Sequence, residues 1–309
     1  MNFIILILTM LSLLSLVLSS PFSHDHNHNH NHAHAHTHTA NLTARAPPPL
    51  TPTHQRRGIA YNDASIPALF DKPGSLATWR YNWDSTSSPS TAWFRFVPML
   101  HSLLPEHTDI WKANAEEKAR SNWRDHGETP TWLLGFNEPD NCVPYAGGSC
   151  IDVATAVSAW KKYMDPLSSL NPKVYLGSPA VTNAAPTDTT GLGWLAKFLE
   201  ACTGCQIDHV NIHWYDAANN AAYFKKHIED TRRIAGGRPI WVTEFHASGS
   251  DDEVKAFLDE VMPWMDESDD VHRYAYFMAR PGDGLLIRAD GKGLSAIGKE
   301  YNFHDGSTN

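Results

Sequence analysis

Two glutamates stand out for where they fall in the chain. Glu138 follows the apolar stretch Trp132-Leu-Leu-Gly-Phe-Asn137, and Glu244 follows Pro239-Ile-Trp-Val-Thr243. Each stretch has the composition of a buried strand, and a carboxylate at its end is costly to desolvate and adds nothing to packing. One such residue reads as a strand end meeting water. Two of them, Glu138 between Asn137 and Pro139 and Glu244 between Thr243 and Phe245-His246, point to paired carboxylates facing one bowl. Glycoside cleavage with retention needs such a pair, about 5–5.5 Å apart, one as nucleophile and one as general acid/base. The acid must hold a proton near neutral pH, and burial beside a second negative charge favours that.

The elements that must position the pair follow from the hydrophobic pattern. Strands are predicted over 57–63, 77–83, 93–99, 132–137, 174–178, 209–215, 240–244 and 271–278. Helices are predicted over 109–126, 152–170 with a break near Asp165-Pro166, 194–201, 218–235, 254–265 and 294–301, with a short turn over 65–70. Val254, Phe257, Leu258, Val261, Met262 and Met265 form a 3.6-residue stripe, and Asp152 is placed to cap its helix. Eight strands mostly alternating with helices predict an α/β fold, a (β/α)8 TIM barrel. Only polar turn residues separate the second and third strands, so either the helix expected there is missing and a loop bridges them, or the second strand lies elsewhere. Both glutamates then lie at the C-terminal face. Strict alternation would turn Asn137 away from the bowl that holds Glu138, so a bulge or bend is required at that strand end.

Outside this region the chain reads differently. The apolar run Phe3–Leu18 is too short for a membrane span, and residues 1–20 read as a signal peptide. Residues 21–55 read as a disordered linker, with eight of the chain's 18 histidines between His24 and His38 and a proline cluster from Pro47 to Pro52. Loose Zn, Cu or Ni binding by the His run is the alternative to a spacer, and no ligand spacing there defines a closed site. Asn41-Leu-Thr43 is a glycosylation acceptor in a secreted chain. The folded part is expected over 56–309, and the protein is expected to be secreted, cell-wall associated or free, without a membrane span, and monomeric. A net charge of −9 with no large Lys/Arg cluster argues against nucleic acid as a partner. Most of the heavy aromatic load of 11 Trp, 10 Tyr and 12 Phe must be core, and some of it is expected to stack sugar rings.

Four cysteines in an oxidising compartment allow three pairings. Cys142 and Cys150 bracket a turn-rich loop that can close on itself. Cys202-Thr-Gly-Cys205 follows a helical pattern at its C-terminal end, the wrong pole for lowering a thiol pKa, so it reads as a structural crosslink. Pairing of Cys142 with Cys150 and of Cys202 with Cys205 is expected.

Four stretches in order, Arg57-Gly-Ile-Ala-Tyr-Asn62, Leu134-Gly-Phe-Asn-Glu-Pro-Asp140, His213-Trp-Tyr215 and Val242-Thr-Glu-Phe-His-Ala247, resemble glycoside hydrolase family 128 of the clan A glycosidases. The resemblance covers nearly all of 56–301. It implies an endo-acting β-1,3-glucanase that retains anomeric configuration, with glucan chains as partner and no metal or organic cofactor. By position, Glu138 matches the general acid/base and Glu244 the nucleophile, and Asn137 is expected to bind the sugar 2-hydroxyl. His213, Trp214 and Tyr215 are expected to line the cleft, Asn82 and Trp83 to bind sugar, and Phe277 to stand where clan A enzymes often carry tryptophan. The alternatives are another clan A specificity, a wall glucan-binding protein without turnover, and a metal-binding secreted protein using the His run. The presence of both glutamates argues against a pure binder.

Overall fold

Eight strands, every paired neighbour parallel, form one sheet in the order β3-β2-β1-β8-β7-β6-β5-β4 in the computed structural model. They are β1 (Arg57–Tyr61), β2 (Ala77–Tyr81), β3 (Arg95–Phe96), β4 (Thr131–Leu133), β5 (Val174–Val181), β6 (His209–Ala217), β7 (Ile240–Ser248) and β8 (Val271–Ala279). The two edges of the sheet, β3 and β4, meet through a single bridge between Met99 and Leu134. Leu134 N–H donates to Pro98 O, and Leu100 N–H donates to Leu134 O. The result is the barrel-like α/β fold that the pattern predicts.

The structure describes residues 56–87, 93–126 and 130–304. The expected signal peptide, the His- and Pro-rich segment and the Asn41 acceptor lie outside the described residues. Among the described residues no helix is long and apolar enough to cross a membrane.

Six helices flank the sheet: α1 (Pro105–His126), α2 (Val153–Ala159), α3 (Gly191–Ala201), α4 (Ala221–Ala235), α5 (Asp251–Glu267) and α6 (Ala296–Phe303). Between β2 and β3 the described residues carry no helix, as the short polar connection requires. Asp152 caps α2 by accepting from Thr155 N–H. The helix predicted over 152–170 is three pieces: α2, a wider turn over Trp160–Met164, and a tight turn over Asp165–Ser169 entered beside Pro166. Ser250 and Glu253 form a capping box at the start of α5, so Glu253 does more than place charge at a helix terminus.

Two apolar layers result from strand alternation. Ala60, Trp79, Tyr81, Trp132, Tyr175, Trp241 and Ala275 pack inside the barrel. Their strand neighbours, such as Ile59, Leu133, Leu176, Ile240 and Tyr274, face outward against Phe257, Leu258 and the other helix residues. A Cβ at Gly58 would stand 2.2 Å from the Trp79 ring, so β1 carries glycine where that indole crosses it. Arg57 ties β1 to the last turns of the chain: it donates to Tyr274 Oη, Tyr301 O and Asp266 Oδ2.

Three strand predictions need correction. The third strand is only Arg95–Phe96, not 93–99. The fourth leaves the ladder after Leu133, because at Gly135 the backbone passes so close to Gly177 O and Trp160 that a Cβ would lie 2.9 Å from each. The seventh continues to Ser248, so Glu244 lies within β7, not at its end.

Candidate active site

Glu138 and Glu244 are both nearly fully buried, at 7% and 4% exposure. One carboxylate oxygen from each and a ring nitrogen of His213 lie within 4.8 Å of one another. Local irregularities of the backbone produce this convergence. After β4 the chain forms isolated bridges, Asn137 opposite Ala180, and Glu138 takes a left-handed φ of 39°. This is the bend that strand alternation demanded there. On β7, register shifts against β6 (Ile212/His213) and against β8 (Val242/Phe245) bracket Thr243 and Glu244 and re-aim the carboxylate.

Every carboxylate oxygen has a protein partner. Glu138 Oε1 lies 2.9 Å from His213 Nδ1, and Oε2 accepts from Asn141 Nδ2 at 2.8 Å. Glu244 Oε1 accepts from Trp83 Nε1–H at 2.7 Å, and Oε2 accepts from the Tyr215 hydroxyl. His213 Nε2 lies 3.0 Å from Thr243 Oγ1 and 3.5 Å from Glu244 Oε1. Glu138, His213 and Glu244 have the donor types of a metal site, but their polar atoms are directed at one another, at the Asn141, Trp83 and Tyr215 donors and at the Thr243 hydroxyl.

The electrostatics follow from that network. Burial pushes Glu244 up, and although His213 opposes this, the facing Glu138 charge helps keep it above the ordinary carboxylate range. Burial also pushes Glu138 up, but the hydrogen bond and charge of His213, with the Asn141 amide, outweigh it and hold it low. His213 is pushed down by burial, yet the Glu244 charge and the Glu138 hydrogen bond raise it above the ordinary imidazole value. The directions for the two carboxyls are the reverse of the acid and nucleophile division expected from the sequence. The three groups titrate as one set, whose proton is drawn to the imidazole rather than to Glu138.

The catalytic-core model of the glycosyl hydrolases matches residues 58–301. The chain belongs to this family, glycoside hydrolase family 128. It is 32% identical over 265 residues to alkali-sensitive linkage protein 1 of Schizosaccharomyces pombe, covering 80% of this chain and 44% of that protein. The chain thus spans less than half the length of that curated relative. A family 128 subgroup III structure, a curdlan-specific exo-β-1,3-glucanase from Blastomyces gilchristii in complex with glucose, superposes with a TM-score of 0.69 at 34% identity, covering 81% of this chain and 99% of that one. A subgroup II endo-β-1,3-glucanase from Sorangium cellulosum superposes with a TM-score of 0.63 at 26% identity, covering 80% and 97%.

Within this family 128 chain the expected site residues divide. Trp83, Tyr215 and Phe277 meet around Glu244, with Phe277 set edge-on to Trp83 at 5.8 Å and to Tyr215 at 5.4 Å. Trp83 has a φ of 60°, the conformation in which its indole N–H reaches the carboxylate. Asn137 is buried; its Nδ2 donates to Gly147 O and its Oδ1 has no protein partner. Asn82 shapes the turn after β2, donating to Thr86 O and accepting from Asp84 N–H. Trp214 is not in the cleft. It is fully buried, stacked on Phe257 of α5 and edge-on to Phe224 of α4, because alternation on β6 turns it outward between His213 and Tyr215.

Both disulfides form as expected, Cys142–Cys150 and Cys202–Cys205. Cys202 caps the C-terminus of α3, which fits a crosslink. The Cys142–Cys150 loop folds back on the segment that carries Glu138, where Ser149 N–H donates to Asn137 O and Glu138 O. Asp140 accepts from Thr182 and from Gly191 N–H, an orienting role. Sequence reasoning missed Asn141 and Thr243. Both lie beside a glutamate already singled out, and their polarity next to a buried carboxylate was the available signal.

Proposed function

We propose that the protein is a secreted retaining glycoside hydrolase acting on β-1,3-glucan. The observation that carries the reading is the buried approach of Glu138 and Glu244, whose nearest oxygens fall within the 4.8 Å set shared with His213. The inverting alternative needs carboxyl groups about 6.5–9.5 Å apart to admit a water between them. Substrate class is supported by the β-1,3-glucanases at 34% and 26% identity. The two disulfides and the expected leader over 1–20 support secretion.

In the mechanism, Glu244 attacks the anomeric carbon while Glu138 protonates the departing glycosidic oxygen. The Trp83 and Tyr215 donors hold Glu244 in its attacking orientation. His213 supplies the proton that the acid needs: Nδ1 stands at hydrogen-bond distance from Glu138 Oε1, and transfer along that contact charges the acid as the leaving oxygen comes beside it. Glu138, then ionised, takes a proton from the water that hydrolyses the glycosyl-enzyme. The buried Oδ1 of Asn137 accepts from the sugar 2-hydroxyl, and the rings of Trp83, Tyr215 and Phe277 wall the subsite at the nucleophile.

Product analysis on linear β-1,3-glucan tests the reading, with Glu138→Gln and Glu244→Gln run alongside. Release of β-1,3-oligosaccharides or glucose by the parent, abolished in both variants, supports it. A ladder of products reports the endo action expected from the sequence, and a single small product reports exo action. Binding of the glucan without any product would overturn the assignment as a hydrolase.

A further inference from the structure

The end of the barrel opposite the two glutamates holds a second concentration of charge. Arg273 is the third residue of β8 and is 4% exposed. Its guanidinium lies over three indoles, 4.6 Å from Trp241, 5.3 Å from Trp132 and 5.6 Å from Trp79. These rings are packed on one another inside the barrel, Trp241 against Trp79 at 5.4 Å and against Trp132 at 5.1 Å. Arg95, half-buried, opens β3 beside Trp79 in the ladder, so it occupies the same inward-facing row.

We propose that this floor is a small-anion site, binding a halide or a small carboxylate between Arg273 and Arg95. Aromatic faces offset part of a buried cation's charge, but they offer no lone pair in the plane where guanidinium N–H groups point. Arg273 Nε and Nη1 are buried without a hydrogen-bond partner, and so is the Nε1–H of Trp241. These three orphan groups are all donors, the complement of an anion. The remaining orphan nearby, His209 Nε2, is an acceptor, since Nδ1 faces the Asn211 amide oxygen at 2.9 Å. It belongs to the wall of the site, where the His209 ring stacks on Trp241 at 4.1 Å.

Charge balance points the same way. Among the described residues no carboxylate acts on either guanidinium; burial and the nearby Arg95 push Arg273 down to about 9, and burial alone lowers Arg95. A buried arginine keeps its proton and is costly unless paired. The partial exposure of Arg95 gives a small ion a way in.

Bromide is the probe, used with the full chain. Crystals grown without halide and soaked in sodium bromide are expected to show an anomalous peak in hydrogen-bond reach of Arg273 Nε or Nη1. In solution at constant ionic strength, replacing gluconate with bromide is expected to raise Tm saturably by a few degrees. Arg273→Met removes the cation and is expected to abolish the rise. Arg95→Gln leaves the buried cation in place and is expected to raise the half-saturating bromide concentration at least tenfold. Equal Tm in bromide and gluconate together with no peak at Arg273 overturns the proposal, as does an unchanged bromide response in Arg95→Gln.

Discussion

His213 Nδ1 lies 2.9 Å from Glu138 Oε1, and this contact determines where the catalytic proton rests. The imidazole is fully buried, with a carboxylate at each end: Glu138 at Nδ1 and, at 3.5 Å, Glu244 at Nε2. An imidazole so placed is a better proton store than either carboxyl. The arrangement reconciles the low Glu138 pKa with the acid role proposed for it, because the proton is one hydrogen bond away.

The first prediction tests that store. With His213 present, the last proton of the set is held by an imidazole raised above its ordinary 6.5. In His213→Gln it must be held by a carboxyl, whose ordinary value is 4.5. The basic limb of the kcat/KM profile should therefore move to lower pH. A variant that loses rate with its basic limb in place would show that His213 only packs against the pair.

Assignment of the two glutamates is separable chemically. Glu244→Ala should lose at least about 10³-fold in rate and be partly rescued by azide, giving a glycosyl azide of inverted configuration, because azide replaces the missing nucleophile. Glu138→Ala should retain glycosylation by an aryl glucoside with a good leaving group, which needs little protonation, and azide should give the retained azide product. Exchanged product configurations would mean that the roles are exchanged.

Much of this site was legible in the sequence, for physical reasons that also mark its limits. Glu138 and Glu244 were visible because a carboxylate beside an apolar run is anomalous wherever the strand ends. The bend at Asn137–Glu138 followed from alternation alone. What single-strand reasoning could not supply was how far the ladder runs: β7 extends to Ser248, and Glu244 is aimed by register shifts against two neighbouring strands. Trp214 was misplaced for a different reason, because alternation within His213–Tyr215 had to be applied and was not. Its neighbours His213 and Tyr215 reach the pair, and period-two alternation sends the residue between them to the helices. The short third strand was equally hidden, since Phe94, Val97 and Met99 are as well buried outside the ladder as Phe96 is within it.

Removing a donor from Glu244, the proposed nucleophile, should act on both rate and pH. The Tyr215 hydroxyl and the Trp83 indole N–H both lower the Glu244 pKa, against burial, which raises it. Tyr215→Phe should therefore shift the acidic limb of kcat/KM to higher pH and reduce the plateau by about 10²-fold, the scale for one lost donor at a developing charge. Trp83→Phe should shift the limb in the same direction. A plateau loss with the acidic limb fixed would leave these residues as sugar contacts only.

Stability should fall on mild acidification, through histidines outside the catalytic pair. Burial pushes His101, His227 and His272 down to about 4, and His209 well below its ordinary value. In the unfolded chain each titrates near 6.5, so between about pH 6.5 and pH 4 the unfolded state binds more protons. Stability then rises with pH in that window and is lost as pH falls, each group contributing up to about 1.4 kcal/mol per pH unit. Glu244, raised in the fold, works in the opposite direction over part of the same window. The His213 contribution is fully present below the unfolded value and is lost only as pH rises through its higher folded value. Five buried histidines, His246 included, against the raised carboxyls of Glu244, Asp165, Asp266 and Glu300 predict a Tm at pH 4.5 about 10 °C below that at pH 6.5. His227→Gln should flatten the slope, since it removes one neutral imidazole that acid would charge. A Tm that held steady or rose on acidification would show that these rings gain protons in the fold as readily as in the unfolded chain.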